Sequence, residues 1–202
     1  MDLIIIAGMP ASGKSTAAEK LSRIFGYPVL EKDALKEELF DTIGFQNYPQ
    51  KRLLDTAATA VLLRCVESLL AGGTSLIMVN NFREDMRESV QALIDRHSCR
   101  CVTLFFQGDP EVFYRRYVAR DQAHARHLGH VVQEHYPPRE GDPVDHTMSR
   151  EEFAEKFEKL GMDRFRLNCP WLPVEATEPS QIDIDALAQQ IRAALDSQEA
   201  KS

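Results

Sequence analysis

The 202-residue sequence contains no long apolar run, and nothing in it approaches the roughly 18 consecutive apolar residues of a membrane span. Its first apolar run is only about five residues long and follows Met1-Asp2 with no basic segment ahead of it. It does not read as a signal peptide, and the protein is expected in the cytoplasm. Cysteine is sparse. Cys65, Cys99, Cys101 and Cys169 sit in apolar or strand-like stretches without the paired spacing of a zinc site, which points to reduced core thiols. An excess of positive charge is missing too. With 24 Lys and Arg against 31 Asp and Glu, the formal charge is −7. That argues against a broad non-specific nucleic-acid surface, because such binding rests on a positive field. No internal repeat or low-complexity stretch is visible.

What remains is the composition of an ordinary soluble globular protein, 44% apolar and 27% charged, of a length that suits one domain over 1–202. Short apolar runs alternate with helical periodicity. LIIIAG (Leu3 to Gly8) reads as a buried strand, and Lys14 to Phe25 as a helix with Ala17, Ala18, Leu21 and Phe25 on one face. YPVL (Tyr27 to Leu30) reads as a second strand, with Asp33 placed to cap the helix ALKEELF. The clearest helix is KRLLDTAATAVLLRCVESLLAGG, whose stripe runs through Leu54, Ala57, Ala58, Val61, Leu62, Cys65, Val66 and Leu69 to a Gly72-Gly73 stop. Strands at Ser75 to Val79 and Cys101 to Phe106 flank a helix from about Arg83 to Asp95, and Asp109-Pro110 opens another helix. Ser149 to Glu152 has the form of a capping box. RFRL (Arg164 to Leu167) is expected as the last central strand and Ile184 to Leu195 as the closing helix. This βαβα rhythm predicts an α/β fold with a mainly parallel five-stranded sheet between helices on both faces.

About Gln122 to Thr147 the rhythm stops. A His-, Pro- and Gly-rich segment of this length inside a compact domain is usually a lid or a binding segment unless it is disordered, and is taken here as a lid over about 121–148. Histidines 124, 127, 130 and 135 lie in it without acidic or cysteine partners at metal-ligand spacing.

GMPASGKST, between the first strand and the first helix, fits the phosphate-binding loop pattern Gly-x-x-x-x-Gly-Lys-Ser in its confirming context. The backbone from Gly8 through Pro10, Ala11, Ser12 and Gly13 would turn around the phosphates of ATP so that its N–H groups converge on them, aided by the helix N-terminus and Thr16. Lys14 would reach the β and γ phosphates, and the Ser15 hydroxyl would ligate Mg²⁺. Asp33 lies at the same carboxyl edge of a parallel sheet, where it could accept a proton from an attacking hydroxyl or share the metal. Arg116 and Arg120 are one helical turn apart and Arg126 lies in the lid beyond, so closure could bring guanidiniums onto the transferring phosphoryl group. Strand three delivers Asn80 and Asn81 where phosphate-loop proteins usually place an acidic residue, and these amides, with Arg83, are expected to orient water or substrate.

GMPASGKST, EKDALKEELF with Asp33, VNNF, and the R-x-x-x-R followed by ARHLGH together resemble the small P-loop kinases that include chloramphenicol phosphotransferase, zeta-toxin-like sugar-nucleotide kinases, gluconate kinase and the kinase domain of polynucleotide kinases. The likeness spans about Leu3 to His130, with a weaker match through WLPVEAT (Trp171 to Thr177). It implies a P-loop NTPase three-layer fold with a lid insertion and transfer of the ATP γ-phosphate to a hydroxyl. Asp33 would be the base, with Arg116, Arg120 and Arg126 as lid arginines. The nucleotide base would lie near Glu175 to Thr177, and His127 and His130 would face acceptor or phosphate. Leu128 and Asn80 depart from the family pattern.

The expected function is therefore an ATP- and Mg²⁺-dependent kinase acting on a hydroxyl of a small molecule such as an antibiotic, a sugar or a nucleoside. A nucleotide-binding protein without phosphotransfer and a nucleic-acid end kinase stand as alternatives.

Overall fold

The computed structural model describes residues 1–123, 125–142 and 148–199. Five strands, β1 (Asp2–Gly8), β2 (Val29–Glu31), β3 (Leu76–Val79), β4 (Arg100–Gln107) and β5 (Trp171–Glu175), form one sheet in the order β2-β3-β1-β4-β5, with every pairing parallel. β1 is central and buried along its whole length, as its unbroken apolar run requires. Successive side chains point to opposite faces. Ile4 and Ile6 therefore pack with helices α1 (Lys14–Phe25) and α8 (Ile184–Glu199) through Ala17, Ala18, Leu21, Leu187 and Ile191. Leu3, Ile5 and Ala7 pack on the other face against α3 (Tyr48–Ala71) and α4 (Arg87–His97) through Leu62, Val66, Leu70, Val90 and Leu93. Each such aliphatic side chain larger than alanine contributes about 1.5–3 kcal/mol on burial. The three layers follow from this alternation.

Connections are helical: α2 (Lys32–Ile43) follows β2, and α5 (Pro110–Gln122) follows β4. Asp109 caps α5 by accepting from the Glu111 amide at 2.8 Å. The short α6 (Leu128–Val131) and then α7 (Arg150–Leu160), with the Ser149–Glu152 capping box in place, lie in or beside the segment expected as a lid. His124 and residues 143–147 of that segment lie outside the described residues. Among the described residues no helix is long and apolar enough to cross a membrane. None of the four cysteines is in a disulfide; Cys99 and Cys101 are buried, and Cys65 and Cys169 half-buried.

Three sequence expectations need correction. RFRL is not a strand: a 3₁₀ turn ends at Arg164, Phe165 stacks on Phe82 at 4.7 Å, and Arg166 lies 4.1 Å above the Trp171 ring. The strand is WLPVE, on the sheet edge, where a strand can accommodate a proline such as Pro173. Asp33 is not the cap of α2. β2 runs one residue further than expected, Glu31 takes the cap position, and Asp33 falls in the first turn. On α3 the buried stripe is Leu54, Ala58, Leu62, Val66 and Leu70, at strict four-residue spacing, and Val61 is exposed.

Candidate active site

β1 leaves the sheet at Gly8, where φ is +127° and a Cβ would lie 2.2 Å from the Phe106 carbonyl oxygen. Gly13, at φ +89°, turns the chain into α1, and Ala11 adopts φ +59° between them. Ser12 is fully buried and donates to the Met9 carbonyl at 2.7 Å, bracing the turn. Lys14 lies under the loop and donates to the carbonyls of Gly8 (3.1 Å) and Met9 (2.5 Å). Burial pushes its ammonium down to about 7, against the pull of Asp33 and Glu31.

The next helical residue, Ser15, donates to Glu31 Oε1 at 2.6 Å. Glu31 ends β2, beside Val79 at the end of β3. Burial raises its carboxyl, with the bond from Ser15 opposing that rise. Sequence reasoning passed over Glu31 because it looked for an acidic residue on β3. Asp33 opens onto the same space. Burial would raise its carboxyl, but Lys36, His130, Arg126 and Lys32 outweigh that and hold it well below the usual carboxylate range. Lys36 Nζ is 3.5 Å from Asp33 and 3.1 Å from Asp55, and Lys32 Nζ is 2.6 Å from Asp55.

A cavity over the loop is lined by Pro10, Ala11, Gly13, Lys14, Ser15 and Thr16, by Glu31 and Asp33, by Asn80 and Asn81, and by all three sequence-predicted arginines. Those arginines are held differently. Arg116 donates to the carbonyls of Ala176 (3.0 Å) and Thr177. Buried Arg120 Nε has no hydrogen-bond partner among the described residues. Arg126 sits 5.5 Å from the Tyr117 ring centre and 3.6 Å from the buried carboxylate of Asp121.

A second cavity adjoins the first, and Pro10, Asp33, Asn80, Asn81 and Arg126 line both. Its other walls include Lys36 and Phe40 of α2, Lys51 and Asp55 of α3, His130 of α6, and Phe153 and Lys156 of α7. Asn80 is braced, its amide nitrogen 3.3 Å from Met86 Sδ and its oxygen accepting from the Asn81 amide. Arg83 lines this cavity and pairs with Asp85 at 3.1 Å. His130 faces it and bonds Glu37 at 2.9 Å; burial pushes the ring down to about 4, so it is neutral near pH 7.

His127 lines neither cavity: Asp41 takes one ring nitrogen at 3.0 Å and the Gly129 amide donates to the other. Thr177 also lies outside both linings, and its hydroxyl accepts from the Asp109 amide at 2.8 Å. The lysines were missed because each sits on an ordinary amphipathic helix. Their only sequence signal is spacing, with Lys32 and Lys36 one turn apart around Asp33, and Lys51 one turn before Asp55.

Several known proteins are similar. The chain matches the family described as AAA domain over residues 3–135. It superposes on the crystal structure of a protein from Chloroflexus aurantiacus j-10-fl provisionally described as a kinase, with TM-score 0.79 and 29% identity over 96% of this chain and 97% of that one. A gluconokinase from Sinorhizobium meliloti 1021 shares the fold at TM-score 0.53 and 16% identity, over 97% of this chain and 92% of that one. A shikimate kinase of Clostridium botulinum (strain Loch Maree / Type A3) is 49% identical over 41 residues, 20% of this chain and 24% of that enzyme. The match thus spans about a quarter of the length of such curated relatives. With the family matched over 3–135 and the parallel sheet and phosphate loop in place, the chain belongs to the AAA domain family and has the fold of the P-loop kinases.

Proposed function

We propose that the protein is a kinase that transfers the γ-phosphoryl group of ATP to a hydroxyl of a small molecule. The observation that carries this reading is the wall shared by the two cavities, with Asp33 and Arg126 facing both. A switch or a motor needs the loop cavity alone. A transferase also needs a second chamber opening on the same carboxylate. The likeness at 29% identity to a protein provisionally described as a kinase, and the partial match to shikimate kinase, support the same reading.

In this mechanism the loop amides and Lys14 hold the polyphosphate, and the acceptor enters the second cavity with its hydroxyl on Asp33. The acceptor oxygen bonds to the γ-phosphorus as the bridging P–O bond breaks, and the hydroxyl proton passes to the Asp33 carboxylate. Because that carboxyl is held ionised, its first task is to orient the hydroxyl, and it takes the proton late, as a loose transition state permits. Arg120 and Arg126 neutralise charge on the moving group, while Arg116 fixes the loop after β5. The donors near Ser15 are hard oxygens, its hydroxyl with the carboxylates of Glu31 and Asp33. That set fits Mg²⁺, which takes one or two protein ligands and completes its shell with water and phosphate. Bound with the nucleotide, Mg²⁺ neutralises phosphate charge. Glu31 supplies the acidity that Asn80 lacks.

The test is acceptor-dependent ADP release with mass detection of the phosphorylated product. ADP formed at one rate with and without every acceptor, and no phosphorylated product, would leave a nucleotide-binding or hydrolytic protein instead.

A further inference from the structure

The chain as a whole is acidic, with a formal charge of −7, yet seven cationic side chains line the second cavity against two carboxylates, Asp33 and Asp55. Four of the seven have an anionic neighbour. Lys32 and Lys36 share Asp55, Arg83 holds Asp85, and Arg126 faces Asp121. The other three, Lys51, Arg52 and Lys156, have no carboxylate at ion-pair distance among the described residues. All three line the second cavity and none lines the cavity over the phosphate loop.

From this juxtaposition we infer that the acceptor carries a negative group of its own, a carboxylate or a phosphate, which Lys51, Arg52 and Lys156 bind while its hydroxyl meets Asp33. The inference deepens the kinase reading and rests on it for the word acceptor.

Lys51 donates to the carbonyls of His130 (2.9 Å) and Val132 (2.5 Å), which seats it in the cavity wall. An ammonium has three protons, so one remains for a ligand. Burial first, then Lys36, Arg126 and Lys156, push Lys51 down to about 7. Lys156 keeps an exposed surface, and partial desolvation, then Arg126 and Lys36, lower it. Asp55 opposes that lowering at both lysines, but cations in excess of their counter-charges disfavour one another, and an entering anion removes that penalty and is drawn in by the same field. A neutral sugar would leave the three uncompensated. Among the described residues the hydrogen-bond contact of the exposed Lys156 is to Met148 Sδ, at 3.8 Å, so replacing it is expected to disturb little of the fold.

Two measurements decide the matter. The first compares ADP release by the wild-type protein with neutral polyols, sugar acids and sugar phosphates of matched size. Turnover confined to the charged members, with the better class naming the group, supports the inference; equal turnover with neutral polyols overturns it and leaves the kinase reading standing. The second titrates citrate and inorganic phosphate into protein saturated with Mg²⁺ and a non-hydrolysable ATP analogue, so that the phosphate loop is already filled. Binding weakened about tenfold or more in Lys156→Met, and again in Arg52→Met, supports the site, a loss in keeping with removal of one charged hydrogen bond. Binding that is absent in wild type, or unchanged in both variants, overturns it. If no panel member yields ADP, the kinase reading fails and the titration alone decides whether an anion site exists.

Discussion

The Ser15 hydroxyl donates to the Glu31 carboxylate at 2.6 Å, joining the first turn of α1 to the end of β2. Glu31→Gln keeps the shape and a hydrogen-bond acceptor but removes the charge. It is expected to raise the Mg²⁺ concentration needed for half-maximal turnover about 10- to 100-fold, while binding of ATP without metal is retained. A magnesium titration of ADP release checks this, and an unchanged half-point would take Glu31 out of the metal's surroundings.

Asp33→Asn is expected to lower kcat about 10²- to 10⁴-fold with ATP affinity unchanged. The pH dependence has a definite sign. Despite burial, Lys36, His130, Arg126 and Lys32 hold the Asp33 carboxyl below the ordinary range, so it is expected to stay ionised through the neutral range. The wild-type rate should therefore show no acid limb from this group above about pH 5. A limb there that vanishes in Asp33→Asn would contradict the assignment.

Burial brings the Lys14 ammonium down to about 7, and a bound polyphosphate favours its charged form. Below about 7 the ammonium already carries its proton; at pH 8 most of it is neutral, so ATP binding there should take up close to one proton. Calorimetry in buffers of different ionisation enthalpy measures this directly. Zero uptake at pH 8 would show that Lys14 is charged before the nucleotide arrives.

Gly129 packs against the fully buried ring of Phe40, and a Cβ there would lie 2.3 Å from Phe40 Cδ2. Gly129→Ala should lift α6 from α2 and cost about 1–3 kcal/mol, the usual range for overpacking. Because α6 carries His130 into the second cavity, KM for the acceptor should rise more than KM for ATP. Equal effects on both would mean that α6 does not shape the acceptor's chamber.

Much of the fold was legible because its signals are local. Continuous apolar runs marked β1 and β4, and Asp109, Ser149 and Gly72 marked helix ends where they occur. RFRL misled because it alternates like a strand, although its single buried ring is claimed by Phe82, a contact no local pattern encodes. At the site, the phosphate loop and three arginines could be read directly, since chemistry and spacing coincide. Glu31 and the lysines of the second cavity could not. Their meaning comes from the parallel register that sets β2 beside β3, and from α3 and α7 meeting across a space that neither surrounds alone.

The carbonyls of Gly8 and Met9, which accept from the Lys14 ammonium, form an internal competitor with any incoming anion for that one cation. That competitor is tethered, so dilution never weakens it. A lone orthophosphate must displace it with few contacts to offer in return, whereas a chain of phosphates can exchange several partners at once. The loop is thereby expected to favour longer phosphate chains before any other part of the nucleotide is felt.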